Sequence, residues 1–324
     1  MLILSLQYFN KLKNSIKVPP HTATVITSCT NRKRSGTGQP ISAHQLSTED
    51  FGAFTNAWLA RINKAAPKFE AADLYVGRSF NDANTVTKHL GGKLYVVSAG
   101  IGLIHSSKAI PPYNLTVSSG AASINARLCK LGATVQDWWQ SINQGNTNAI
   151  ANLVNTSSSG PVLIALPANY IHMISEDLTR IATEQIDRLR IFTSTAGLNE
   201  LPTTLKNNAM PYDERLEGSP FPGTRTDFAQ RAMRHFVFEL EAHELPLPEA
   251  KLRVERALST FFIPVIPKRT KITDSQIESL IRKHWHRLDG NVSQLLRCLR
   301  DDELVACEQG RFSSICRSVR ESYL

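Results

Sequence analysis

Long apolar runs, paired cysteines and the common catalytic signatures are all missing from this 324-residue chain. No stretch approaches the roughly 18 consecutive apolar residues of a membrane helix, so a spanning segment is not expected. Cysteine is scarce and odd in number: Cys29, Cys129, Cys298, Cys307 and Cys316, with no C-x-x-C pair. That excludes a disulfide framework. The last three are nine residues apart, but they fall in helical sequence, where a free thiol is a small buried hydrophobe rather than a metal ligand. Neither a metal nor a cofactor is expected. GxxxxGK[ST], HExxH and GxSxG are also absent, which removes the P-loop, zincin and hydrolase-elbow readings, and the D-F-G at 50–52 stands without the other kinase motifs. The N-terminus, MLILSLQYFNKLKNSIK, puts its apolar run before its lysines, the wrong order for a secretory leader. Residues 1–21 read as an amphipathic helix, and a cytoplasmic location is expected.

What is present is an ordinary apolar share of 42% and a strong basic excess, 37 Lys or Arg against 28 Asp or Glu, for a net charge of +9 and a pI near 9.4. A core is affordable, and a polyanion is the leading partner. From Thr22 onward, strand-like runs alternate with helical ones. Strands are predicted over 22–28, 72–77, 93–100, 161–167 and 190–195, and helices over 48–65, 78–89, 121–155 and 169–189. This alternation predicts an α/β fold with a parallel sheet in a three-layer domain, whose ligand crevice lies beyond the carboxyl ends of the strands. The α/β domain is read as 22–200, and a connecting region of loops and helices over 201–262 completes its site. A small all-helical module follows over 263–324. That module opens with a T-x-x-Q capping box, Thr273 and Gln276, and its three short helices are compatible with a helix-turn-helix variant. Residues 251–324 hold 14 Lys or Arg against 9 Asp or Glu.

Several polar turns carry candidate chemistry. Asn31, Arg32, Lys33 and Arg34 after the first strand suit a phosphate, against the plainer reading of a solvated basic loop. In SAGIGLIHSSKAIPPYNLTV, Gly100 and Gly102 allow close backbone approach, and Tyr113 offers a rigid ring to a base, although it equally suits packing under a loop. Asp213, with Arg215 beside it, lies in a Pro/Gly-bounded loop and is a candidate to activate water, whereas Asp227 reads as a helix cap. His172, His235 and His243 read as structural. For the polymer backbone the candidates are Lys268, Arg269, Lys271, Arg282, Lys283, Arg287 and Arg311, with Arg215 and the loop 31–34. The same cations also suit a solvated helix face.

SCTNRKR, DLYVGRSF and VVSAGIGLI…IPPYNLTV together resemble an uncharacterised bacterial domain family with the pattern S-C-x-x-K, L-Y-x-G-x-x-F and S-A-x-Y-G-L followed by P-Y-D. The resemblance covers roughly residues 22–120. That family is similar in layout to the uracil-DNA glycosylase superfamily, including anti-phage DNA glycosylases that excise glucosylated hydroxymethylcytosine. It implies a base-flipping hydrolase of N-glycosyl bonds acting on phage DNA with modified bases. By the resemblance, Ser28, Cys29, Tyr75, Gly77, Phe80, Ser98, Gly102, Tyr113 and Asn114 line the site. Two positions depart from the pattern. Ile101 replaces the tyrosine, and Asn114 replaces the aspartate, which moves the water to Asp213 or leaves it to Asn114, with Asp227 as a further candidate. The competing expectation is a module that binds or senses nucleic acid or a nucleotide without catalysis.

Overall fold

Thr24–Ser28 (β1) is apolar and β-branched, and all five residues are buried because a parallel strand pairs with it on each side. One neighbour is Lys93–Ser98 (β2), in register Thr24↔Lys93 to Ser28↔Val97. The other is Val162–Ala165 (β4), which in turn pairs in parallel with Leu189–Phe192 (β5). Gly102–His105 (β3) folds back antiparallel on β2. The central sheet therefore has the order β3-β2-β1-β4-β5. We describe a computed structural model whose described residues are 22–34, 40–66, 68–157, 160–263, 265 and 267–321. The helix expected over 1–21 lies outside them.

The chain divides into two compact units, Met1–Ile263 and Pro264–Leu324. The first is a mixed α/β domain with a mostly parallel sheet, compatible with three layers. Its helices are α1 (Phe51–Lys64), α2 (Ala71–Leu74), α3 (Arg78–His89), α4 (Asn125–Lys130), α5 (Val135–Ile142), α6 (Ala149–Thr156), α7 (Ala168–Leu178), α8 (Thr195–Glu200), α9 (Phe228–Phe238) and α10 (Leu247–Leu258). Helices α3 and α9 pack on each other and on the sheet, while α5, α6 and α8 pack around α7. Residues 201–262, read from the sequence as a separate connecting region, belong to the same unit. The amide of Met210 donates to Ile191 of β5, and α9 lies on β4 and β5. Among the described residues no helix is long and apolar enough to cross a membrane.

Two sequence expectations are corrected. Residues 72–77 do not form a strand. Ala71–Leu74 makes one helical turn, with the amides of Ala71 and Ala72 taken by the carbonyls of Lys108 and Ser106, and only Tyr75 pairs, as an isolated bridge to Lys33. The strand expected over 93–100 ends at Ser98 and turns into the β2–β3 hairpin. Gly102 closes that turn at φ +86°, a backbone conformation that side chains disfavour.

The second unit contains α11 (Asp274–Trp285), α12 (Val292–Asp301) and α13 (Gln309–Glu321). The Thr273–Gln276 capping box forms at the start of α11. Ile277, Ile281, Leu295, Leu299, Phe312, Cys316 and Val319 make the core, with Cys298 and Cys307 also buried. The seven-residue connection 302–308 is longer than the tight turn expected of a helix-turn-helix. Val305 within it bridges in parallel to Thr270.

Candidate functional site

From β1 the chain goes to β2 on one side and later returns to β4 on the other, so the order reverses between β1 and β4. At such a reversal the connections leave in opposite directions and the strand ends open into a crevice. A cleft of about 530 Å³ lies there. It is lined by Ser28–Arg32 after β1, Val76–Ser79 at the start of α3, and Pro167–Tyr170 at the start of α7. Ser118, Ser194 and Arg225–Asp227 complete it.

The first loop is fixed in place by its own backbone. Thr30 donates its hydroxyl to the carbonyl of Val76 (3.0 Å), and the Val76 amide donates to Arg32 (3.1 Å). Helices α3, α7 and α9 all begin at the cleft, and none of their N-cap side chains accepts a first-turn amide. Their positive dipole ends and the exposed Arg32, Arg78 and Arg225 line the same cleft. Against this stands one carboxylate among the described lining residues, Asp227. Its Oδ1 accepts the Thr224 amide (2.9 Å) and the Nε of Arg231 (2.7 Å). Arg231 is 1% exposed and also donates to Glu217 (2.6 Å) and to the carbonyl of Phe221 (2.7 Å). From the opposite rim, Arg78 donates to the carbonyl of Pro222 (2.7 Å). The cleft thus favours an anion and presents one anchored acid.

Beneath the cleft is a closed hydroxyl cluster. Tyr113 shares hydrogen bonds with Ser98 (2.7 Å) and Tyr75 (2.8 Å), and Ser98 Oγ also accepts the amide of Ile101 (3.1 Å). Burial pushes all three phenols in the neighbourhood, Tyr75, Tyr113 and Tyr170, above the ordinary tyrosine range. Cys29 lines the cleft and shares a hydrogen bond with the Tyr170 hydroxyl (3.1 Å). The Lys33 ammonium lies 4.2 Å from the Tyr113 ring centroid and donates to the Thr30 carbonyl (2.9 Å). Desolvation lowers its pKa, partly offset by Cys29.

Of the residues expected at the site, Ser28, Cys29, Asn31, Arg32 and Gly77 come together around the cleft. The others are placed elsewhere. Tyr75, Phe80 and Tyr113 are 1% exposed and do not line it, so no ring face of these three is open to an incoming base. Ser98, Gly100 and Gly102 are below it. The close approach that Gly100 permits is to Tyr113 and Trp58, since a Cβ there would come within 2.8 Å of the Tyr113 ring. The hairpin turn is pinned by two indoles, Trp58 to the carbonyl of Gly100 (2.6 Å) and Trp138 to that of Ala99 (2.7 Å).

Asn114 is exposed, in a two-residue pairing with Ser42, outside the cleft lining. Asp213 is also outside it and is gripped by Arg215 through both oxygens (2.7–3.0 Å), which holds its carboxyl below the ordinary range. The pair ties the two side chains to each other outside the cleft. Lys33 is turned inward, and Arg34 is exposed but outside the lining.

In the second unit, five of the expected DNA-binding cations face their own carboxylates. Arg269 pairs with Asp301 (2.9 Å), Arg282 with Glu278 (2.7 Å), Lys283 with Glu303 (2.8 Å), Arg287 with Asp302 (3.8 Å), and Arg311 donates to Asp274 (2.7 Å). Lys268 and Lys271 are exposed and have no ion pair among the described residues.

The turn Gly77–Phe80 was marked from the sequence without a role for Arg78, and Asn169, Ser194 and Arg225 were missed. Arg78 and Asn169 lie in the first turns of α3 and α7 and Ser194 caps α8, but only the strand order brings the four together. Asp227 was read as a cap, and its place in the cleft had no local signal.

These features define a mixed α/β domain with an anion-favouring cleft at a topological switch point. A protein family described as a family of unknown function (DUF6884) matches residues 61–189, a span from α1 to the first residue of β5. No curated protein and no solved structure matches the chain.

Proposed function

We propose that the chain is a DNA N-glycosylase that takes a modified base into the cleft and hydrolyses its bond to the sugar, in defence against phage whose DNA carries such bases. The observation that carries this reading is one anchored carboxylate, Asp227, in a cationic cleft whose volume of about 530 Å³ suits an everted nucleotide. Arg32, Arg78 and Arg225 take the flanking phosphates. Cys29, Tyr170 and Pro167 form the floor against which the base rests. As the C1′–N bond breaks, its electron pair leaves with the base, which takes a proton from solvent, and Asp227 returns to solvent the proton it receives from the attacking water. Water attacks C1′ and gives its proton to Asp227, whose negative charge also stabilises the cationic sugar.

Asp227 takes the role first assigned to Asp213 or Asn114, because neither of those lines the cleft. The ion pair that anchors Asp227 also favours a second reading, a module that binds or senses a nucleotide without reacting, since Arg231 draws charge from the carboxylate. One experiment separates them. The full-length protein is incubated with phage DNA of several modification types, and released bases are identified by mass spectrometry. Free base plus abasic sites, both lost in Asp227→Asn, support hydrolysis. Intact DNA throughout rejects it.

A further inference from the structure

The arginines that the second unit leaves unanswered are not on the helix that the sequence made most conspicuous. RKHWHRLDG gives α11 its basic appearance, yet Arg282 and Lys283 are matched by Glu278 and Glu303, as described above. On α13, Arg317 is exposed and has no ion-pair partner among the described residues. The nearest recorded partner of Arg320 is the Gly290 carbonyl at 3.5 Å, the outer limit of a hydrogen bond.

The face around them is equally distinctive. Phe312, Cys316 and Val319 point into the core, so helical spacing turns Gly310, Ser313, Ser314, Arg317 and Ser318 outward as one arc. Arg311 and Arg320 flank that arc, and Glu321 at its far end is its one acid. Small hydroxyl side chains let a helix backbone approach closely, and each can hydrogen-bond any base edge or a phosphate. The first-turn amides are already occupied, because Glu308 accepts from Gly310 and Arg311 (both 2.9 Å). Contacts must therefore come from side chains rather than from the helix dipole.

We propose that α13 is the element that enters the major groove of duplex DNA, with Arg317 at the groove floor or its edge and Arg320 on a flanking phosphate. This rests on the nucleic-acid reading above and names the surface that engages the polymer. Helix α12 precedes it across the 302–308 connection, with Arg297 84% exposed at a weak 3.9 Å pairing to Asp301.

The test is fluorescence anisotropy of the full-length protein on an unmodified labelled duplex over a range of salt. Base release takes no part in this measurement, so failure of the glycosylase reading leaves its outcome intact. Arg320→Ala should weaken binding and flatten the log K against log salt slope by about 0.9, and Arg317→Ala should weaken binding and flatten the slope in so far as its guanidinium reaches a phosphate at the groove edge. Arg256→Gln, the same charge lost from the surface of α10, should leave the slope unchanged. Arg317→Glu should weaken binding more than tenfold. Duplex RNA of the same sequence should compete poorly, since its major groove is too narrow for a helix. Unaltered slopes in both α13 variants, with unchanged melting, overturn the proposal, as does duplex RNA that competes equally.

Discussion

Arg231 places its Nε 2.7 Å from the Oδ1 of Asp227, and both residues are buried, the aspartate at the wall of the cleft. A guanidinium taken out of water this fully is tolerated only with its donors matched, and Asp227, Glu217, Phe221 and Thr224 match them. Removing the arginine leaves the Asp227 and Glu217 carboxylates without their buried counter-charge. Arg231→Met should therefore lower the unfolding free energy by about 3–5 kcal/mol in urea titrations. A loss under about 1 kcal/mol would show that the network carries little.

Asp227→Asn preserves shape and one acceptor while removing the charge. Base release should fall by about 10²–10⁴-fold, with DNA affinity within twofold of the parent chain. Asp213→Asn, outside the cleft, should leave release intact. The reverse pattern would return the reaction to the Asp213 loop.

Acid should destabilise the first unit. The His235 imidazole is buried beside Tyr212, and desolvation holds its pKa below the ordinary histidine value, with Glu239 pulling weakly upward. His243 is shifted the same way for the same cause. The unfolded chain then takes up the proton first, so stability is full above about pH 6.5 and is lost as pH falls toward the folded pKa values. The urea midpoint should drop between about pH 7.5 and pH 5.5, and the drop should shrink in His235→Gln. An equal drop in that variant would assign the effect to other groups.

Ser98→Ala deletes the oxygen shared by Tyr113, Tyr75 and the hairpin amides. The stranded donors should cost about 1–3 kcal/mol in denaturant unfolding. Gly100→Ala should cost a similar amount by overpacking against Tyr113 and Trp58. A neutral result for both would mean that the cluster relaxes freely.

Thiol labelling should sort the cysteines by burial. Cys129 is exposed, whereas Cys298, Cys307 and Cys316 are buried and desolvation pushes each thiol up from its ordinary pKa. In the native protein Cys129 should react first, and the three C-terminal thiols only on unfolding. Rapid modification of Cys316 would mean that the second unit opens readily.

Strands β1, β2, β4 and β5 were legible because continuous apolar runs bounded by turns admit few alternatives. Hairpin strand β3 was not, since four residues after a glycine turn carry no periodicity of their own. Tyr75 looked like part of a strand because D-L-Y-V is β-prone, but the carbonyls of Lys108 and Ser106 draw the preceding residues into a helical turn. The basic loop after β1 was recognisable as part of a site from position alone. Asp227 was not, because a local helix-start pattern and a distant convergence of three loops give the same sequence signal. Asp213 and Arg215 show the opposite failure, where two functional-looking residues two positions apart satisfy each other.

The cleft owes its existence to the path of the chain between β1 and β4 rather than to any one side chain. Its walls are loop and helix-start residues outside the sheet, among them Asn31, Ser79, Asn169 and Thr226. Exchanging them leaves the strands below undisturbed, so a single scaffold can be retargeted from one ligand to another by surface substitutions alone.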